Sequence, residues 1–194
     1  MLLVYKFLTY LKNLFSQKKR LASSTFLFNM NQMKKEEIFL ATKDFIVKKS
    51  LLPDAGLGLF ANRTFQKGES LGPYKGQLLT MEECYKPSLV SLWGYMIDIE
   101  HIERAAPFVA VYPSKKMPLR YINHAPVKVK GKKIKGKKSI NVEFKEISKP
   151  PYIEIVTTKE VKAGDEFYLY YGPGFSQMFL RNPKLKEYYL KDFN

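Results

Sequence analysis

Few residues in this chain of 194 carry the side chains of ordinary acid–base or nucleophilic catalysis: His101 and His124 are the only histidines and Cys84 is the only cysteine. A general base at His124 would need an orienting carboxylate and a nucleophile, and the sequence identifies neither. Taken alone, Asn123-His124 reads more simply as a buried, hydrogen-bonded pair. A protein-bound metal would have to be held mostly by carboxylates, and these form no cluster, so no metal site is expected. A single thiol also rules out a disulfide framework. What remains is an ordered series of glycines, tyrosines and one Asn-His pair: Gly56-Leu57-Gly58-Leu59-Phe60-Ala61, Tyr74-Lys75-Gly76, Arg120-Tyr121-Ile122-Asn123-His124-Ala125, Gly164-Asp165-Glu166 and Phe167-Tyr168-Leu169-Tyr170-Tyr171-Gly172. Such residues act by placement. Bare backbone at glycine lets a ligand or another strand come close, and aromatic walls accept cationic groups through their ring faces.

The elements that must position them are short. Phe45-Ile46-Val47 reads as a strand and Pro53-Asp54-Ala55-Gly56 as a turn, followed by a strand over Leu57–Ala61. Lys67-Gly68-Glu69 marks a turn, and further strands are expected over Tyr74–Leu79, Tyr95–Ile99, Phe108–Tyr112 and Phe167–Tyr171. Tyr152–Thr157 alternates as a strand with one face in solvent does. Met81–Val90 is helical in pattern but broken by Pro87, and the aromatic tail from Pro173 to Asn194 is expected to be partly helical. No internal repeat occurs, and nothing alternates long helices with strands, so the body is mostly β. Gly56-x-Gly58-x-x-Ala61 matches a dinucleotide-binding string, but no amphipathic helix follows to face a pyrophosphate.

Charge is concentrated. The net charge is +15; residues 1–35 hold seven basic side chains and no acid, and so do residues 128–138, leaving the remainder nearly neutral. Residues 3–15 place Leu3, Val4, Phe7, Leu8, Leu11, Leu14 and Phe15 on one helical face. That run is too short to span a bilayer. It stays open between a helix on a membrane surface, an organelle-targeting presequence and a helix docked on the domain. The lysines at 128, 130, 132, 133, 135, 137 and 138 read as a solvent-exposed loop or hairpin. Contact with DNA or another acidic surface and simple solubility are equal readings of it.

In this order and spacing, the motifs resemble the SET-domain family of protein-lysine methyltransferases. Gly56–Ala61 is similar to the family's first glycine motif, Tyr74-Lys75-Gly76 to its Tyr-x-Gly element, and Arg120–Ala125 to its Arg-Phe-Ile-Asn-His-Ser signature. Gly164-Asp165-Glu166 with Tyr171-Gly172 is similar to its closing signature. The likeness spans about residues 45–175. It implies small curved sheets around a threaded, pseudoknot-like C-terminal segment. Outside the likeness lie a helical N-terminal arm (1–37), a lysine-rich insertion (127–139) within the SET domain (38–175), and a partly helical tail (176–194). The likeness implies S-adenosylmethionine as methyl donor, and a protein lysine, in a histone or another target, as acceptor. Tyr171 would be the catalytic tyrosine. Leu57, Gly58, Tyr121, Asn123 and His124 would hold the donor, and Tyr74, Leu169 and Tyr170 would line the substrate channel. An intracellular site of action, nuclear or chromatin-bound, is consistent with this, and organelle targeting by the arm stays open.

The departures from the family pattern are informative. Ala125 stands where the family has Ser. Pro126 leads into the lysine run, so that Asn141 becomes a delayed counterpart of an Asn that normally follows closely. Leu169 and Tyr170 replace the commoner aromatic and Asp. The cysteine-rich zinc segments of many members are absent, so closure of the channel is expected from Phe175, Phe179, Tyr188 and Tyr189 of the tail. The alternative function is a SET-fold binding module that uses the basic loop on nucleic acid.

Overall fold

The computed structural model describes residues 38–84, 86, 88, 96–98, 108–111, 117–147 and 153–193. Residues 1–37, for which a helix over 3–15 is expected, His101 and most of the second half of the Met81–Val90 segment lie outside them. Among the described residues no helix is long and apolar enough to cross a membrane.

Short runs rich in β-branched and aromatic side chains, cut by glycine turns, pair into small sheets. β1 (Leu40–Ala41), β2 (Phe45–Lys49) and β3 (Leu57–Ala61) form an antiparallel sheet in that order, with Val47 opposite Leu59 and Lys48 opposite Gly58. The β2–β3 turn needs left-handed backbone at Asp54 and Gly56, which Asp tolerates and Gly adopts freely. Val47, Leu59 and Ala61 point into the main core, where Phe45, Phe65 and Phe167 meet at ring separations of 5.4–6.0 Å.

β4 (Ser70–Pro73), β11 (Val142–Glu146) and β12 (Ile153–Thr157) form a second sheet, with β12 central. The expected half-exposed face of that segment is not what is observed: Ile153, Ile155, Val156 and Thr157 are all buried. A strand paired on both edges has little solvent left, and the Thr157 hydroxyl is satisfied by the 66–69 turn, accepting from Glu69 N (3.0 Å) and donating to Gln66 O (2.5 Å). β5 (Gly76–Leu79), β7 (Phe108–Val111) and β6 (Met96–Asp98) make the third sheet in that spatial order. Tyr74 and Lys75 precede β5 instead of belonging to it. α1 (Met81–Cys84) opens with a reciprocal cap between Thr80 and Glu83.

After a 3-10 turn at Pro118–Tyr121, β8 (Asn123–His124) pairs in parallel with β13 (Tyr168–Leu169). The expected strand over Phe167–Tyr171 is cut to two residues because its backbone bonds are shared out. Glu166 bridges Phe60, Phe167 N donates to Leu59 O (2.8 Å), and Tyr171 N donates to the His124 side chain. The closing segment is therefore inserted between β3 and β8, as the family fold implies.

β9 (Lys128–Val129) and β10 (Lys132–Lys133) form a hairpin within the lysine-rich insertion, and α2 (Pro173–Phe179) and α3 (Pro183–Leu190) form the tail. The reading of the insertion as an exposed loop or hairpin holds for Lys128, Lys130, Lys132, Lys133, Lys135 and Lys137, whereas Lys138 is half-buried. Val129 and Ile134 are buried in a second core with Leu52, Ala125, Tyr168, Leu185 and Tyr189. Lys138 Nζ donates to Tyr188 O (2.8 Å) and sits over the Tyr188 ring, so insertion and tail hold each other. Ile134→Ala is expected to cost about 2–4 kcal/mol, the usual loss for a buried aliphatic side chain, measured as a lower urea midpoint. Lys133→Ala, one residue away and exposed, should stay within about 0.5 kcal/mol of the parent.

Candidate active site

Glu166 is the most deeply buried acid among the described residues, 2% exposed. Its carboxylate accepts from Ser50 Oγ (2.6 Å), Leu51 N (2.8 Å), Asn123 Nδ2 (3.1 Å) and Tyr168 OH (2.8 Å). All four partners donate, so the carboxylate serves as acceptor only. Burial, with Glu166 beside it, pushes the Tyr168 hydroxyl up and keeps it a donor. Gly58 is the residue this arrangement cannot do without: a Cβ there would lie 2.2 Å from Glu166 Oε1 and 3.2 Å from Asn123 Nδ2.

Asn123 Nδ2 also reaches Leu57 O (3.0 Å) and Ser50 Oγ (3.1 Å). The amide nitrogen is thus spent on the protein, tying β8 to the start of β3. Asn141, buried, does the same for β13 with three bonds: its side chain donates to Glu166 O (2.8 Å) and accepts from Tyr168 N (2.7 Å), and its backbone N donates to Tyr168 O (3.0 Å). With Ala125 N on Leu169 O (3.0 Å), both ends of the insertion are fastened to the closing segment.

His124 is held at both nitrogens. Tyr171 N donates to Nδ1 (3.0 Å), which fixes the proton on Nε2, facing Ser176 Oγ at 2.9 Å; Ser176 in turn donates to Gly172 O (3.1 Å). Burial pushes the imidazole down to about 4, so it is neutral at physiological pH. Its ring is surrounded by Phe175 and Phe179 (both 5.0 Å), Tyr171 (5.5 Å) and Tyr170 (5.8 Å). The Tyr171 hydroxyl donates to the Ile122 carbonyl. Tyr170 and Tyr171 are 36% and 37% exposed, which leaves aromatic surface open beside a buried, uncharged histidine.

The residues expected to form a site divide into two groups. Leu57, Gly58, Asn123, His124, Tyr170 and Tyr171 come together around the β3–β13–β8 junction, and Leu169 lies at the same junction with its side chain buried in the main core. Tyr74 does not join them: it is buried in the main core, edge-on to Phe144 at 5.5 Å. Tyr121 packs on that core, edge-on to Phe39 at 5.8 Å. Of the tail aromatics, Phe175 and Phe179 reach His124, whereas Tyr188 and Tyr189 pack into the second core. Sequence reasoning named Glu166 within a motif without giving it a role, and missed Ser50 and Ser176. The acid in Gly164-Asp165-Glu166 signalled the first; the two serines had no signal in their surroundings. Among the described residues no group of His, Cys, Asp and Glu could hold a metal.

The SET domain family model matches residues 56–172 of this chain. Among solved structures, a humanized mutant of the Chaetomium thermophilum Polycomb Repressive Complex 2 bound to an inhibitor is 27% identical, with a TM-score of 0.50, covering 68% of this chain and 15% of that one. A Polycomb Repressive Complex 2 in complex with trimethylated histone H3 is 25% identical at a TM-score of 0.50, covering 69% and 16%. An autoinhibited form bound to S-adenosylmethionine shares the fold at 24% identity and a TM-score of 0.51, covering 74% and 17%. This chain therefore spans less than a fifth of those chains. No curated protein sequence matches it.

Two outcomes follow from the geometry. Glu166→Gln would turn an amide nitrogen toward converging donors and is expected to cost roughly 3 kcal/mol or more, with Gly58→Ala similarly costly and the pair non-additive in a double-mutant cycle by denaturant titration. His124 titrates near 6.5 when unfolded and about 4 when folded, so the unfolded chain binds more protons between those values. Stability is then complete above about pH 6.5 and falls by up to about 3 kcal/mol as pH drops to 4. Urea titrations of the parent and His124→Gln at several pH values should show that slope in the parent only.

Proposed function

The chain belongs to the SET-domain family of protein-lysine methyltransferases, and from that premise we propose that it transfers a methyl group from S-adenosylmethionine to a lysine side chain of a protein, with histones as the first candidates. The observation that carries this reading is the parallel β8–β13 junction, which brings Asn123-His124 and Tyr171 into one site with His124 Nδ1 on Tyr171 N. The complex solved with histone H3 supports the histone candidate, and a nuclear place of action is part of the same proposal.

The residues present suit the donor. When bound, S-adenosylmethionine supplies a methyl group on a positively charged sulfur. Open faces of Tyr170 and Tyr171 accept such a cation, and a histidine kept neutral by burial does not repel it. In this proposal the backbone at Leu57 and Gly58 and the His124 region hold the donor. Asn123 acts as a positioning residue, because its amide nitrogen is spent on Ser50, Leu57 and Glu166.

The acceptor must be a neutral amine, yet free lysine titrates near 10.4. Desolvation among Leu169, Tyr170 and Tyr171, beside a bound cation, lowers that value. Tyr171 directs its hydroxyl hydrogen at the Ile122 carbonyl, so its oxygen can accept from the lysine nitrogen and aim the nitrogen lone pair. Alignment and exclusion of water supply most of the acceleration. Tyr171 is accordingly the proposed catalytic residue. In this proposal Leu169, which lacks the ring of the family's usual Phe or Tyr, influences how many methyl groups are accepted.

Labelled donor offered with core histones, nucleosomes and a whole-cell lysate tests the reading. Transfer to a lysine is expected; no transfer to any of them, together with no heat of donor binding, would overturn it. Tyr171→Phe should lose roughly 10²-fold or more in turnover while retaining its unfolding midpoint, and turnover equal to the parent would remove Tyr171 from the mechanism.

A further inference from the structure

The β9–β10 ribbon carries charge that the fold does not use. Its inward face is fixed: Val129 and Ile134 are buried, Lys132 lies over the Phe193 ring, and Lys159 Nζ ties its base to Gly136 O (2.8 Å) and Ser139 Oγ (2.5 Å). Lys137 pairs with Asp165 (2.8 Å) and Lys138 with Tyr188. That leaves Lys128, Lys130, Lys133 and Lys135 exposed, with no anionic partner among the described residues.

Two details of the ribbon run against stability. Lys128 and Lys133 stand directly opposite in the antiparallel register, where like charges repel. The two-residue turn places left-handed backbone at Lys130 (φ 48°) and Gly131 (φ 77°). Asn or Asp is favoured at the first of these positions, yet lysine occupies it. A cavity of about 600 Å³ adjoins the ribbon, with Lys133, Lys135, Lys137, Lys159 and Lys162 on its wall beside Ser139, Glu160 and Asp165.

We propose that this ribbon is a docking surface for the phosphate backbone of duplex DNA, a binding activity separate from methyl transfer. Four features favour that partner. Cations on both strands and the tip of a rigid two-stranded ribbon match a polyanion, and a ribbon of this kind fits the major groove. No exposed aromatic lies on it to stack unpaired bases, as single-strand binders require. Its tip, Lys130-Gly131, has no apolar side chain to enter a bilayer. Its exposed face also lacks the aromatic and arginine anchors of protein interfaces.

The test needs no methyl donor and so stands apart from the activity assay. Binding of the full chain to a labelled DNA duplex is measured across salt concentrations, beside a variant with Lys128, Lys130, Lys133 and Lys135 changed to Gln. A second variant, with the exposed Lys43, Lys49, Lys67 and Lys75 changed to Gln, matches its charge. Val129 and Ile134 remain in both, and equal unfolding midpoints confirm the fold. Each phosphate contact contributes about 0.9 to the log–log salt slope, so the ribbon variant should flatten the slope by about 3–4 and weaken binding about 100-fold or more at low salt. The charge-matched variant should keep the parent's slope to within about 1. Equal loss in both variants would overturn the proposal. So would parent-like binding by the ribbon variant, or a lysine-dependent preference for polyglutamate or phosphatidylserine vesicles over the duplex.

Discussion

The fold of the site rests on one buried carboxylate. Glu166 collects donors from Ser50 and Leu51 after β2, from Asn123 on β8 and from Tyr168 on β13, positions up to 116 residues apart in sequence. A charge this buried is tolerable only when its lone pairs are all engaged, so the four partners are mutually obligatory. Gly58 belongs to the same constraint, because only a residue without a side chain leaves room for the carboxylate. The glycine motif, the Asn-His motif and the closing acidic motif are thus three views of a single hydrogen-bonded centre. It fixes how β3, β8 and β13 cross, and hence where His124 and Tyr171 stand.

From that centre the structure extends outward through His124. Its neutral ring takes the Tyr171 N–H at one nitrogen and meets Ser176 of α2 with the other. A single buried imidazole therefore joins the closing segment to the tail. Phe175 and Phe179 of α2 complete the aromatic surround, and α3 continues onto the second core, where Val129 and Ile134 of the insertion receive Leu185 and Tyr189. In a chain with one cysteine, no zinc cluster is available to brace such a tail. An apolar ribbon face does so instead.

How much of this the sequence disclosed depended on whether the signal was local. The β2–β3 hairpin was legible because strand and turn residues alternate cleanly there. β4 was not, since Gly72 and Pro73 argue against a strand and only its position at the edge of its sheet accommodates them. The two-residue strands β9 and β10 are too short for any periodicity to register, so Val129 and Ile134 read as parts of an exposed loop. Tyr74 belongs to a motif matched to the family, yet its ring fills the core against Phe144. Motif order named Asn123, His124 and Tyr171 together, and the fold brings them into contact. The partners of Glu166 lie beyond what spacing can disclose, because nothing local to Ser50 or Tyr168 indicates that a carboxylate 116 or 2 residues away will be buried against it.

The two faces of the insertion explain why so costly a charge cluster can persist. Removing the whole ribbon would uncover Leu185 and Tyr189 and release the tail that carries Phe175, Phe179 and Ser176 to His124. The inward residues are therefore held by packing whatever the outward ones do. The outward lysines are under no such demand, since neutral side chains would relieve the Lys128–Lys133 repulsion and a better turn residue would relieve Lys130. Stability alone would favour a ribbon with the same apolar face and an uncharged exterior. That the exposed side chains are instead lysines sets a cationic ridge apart from the aromatic surround of the neutral His124, two different electrostatic environments within one chain.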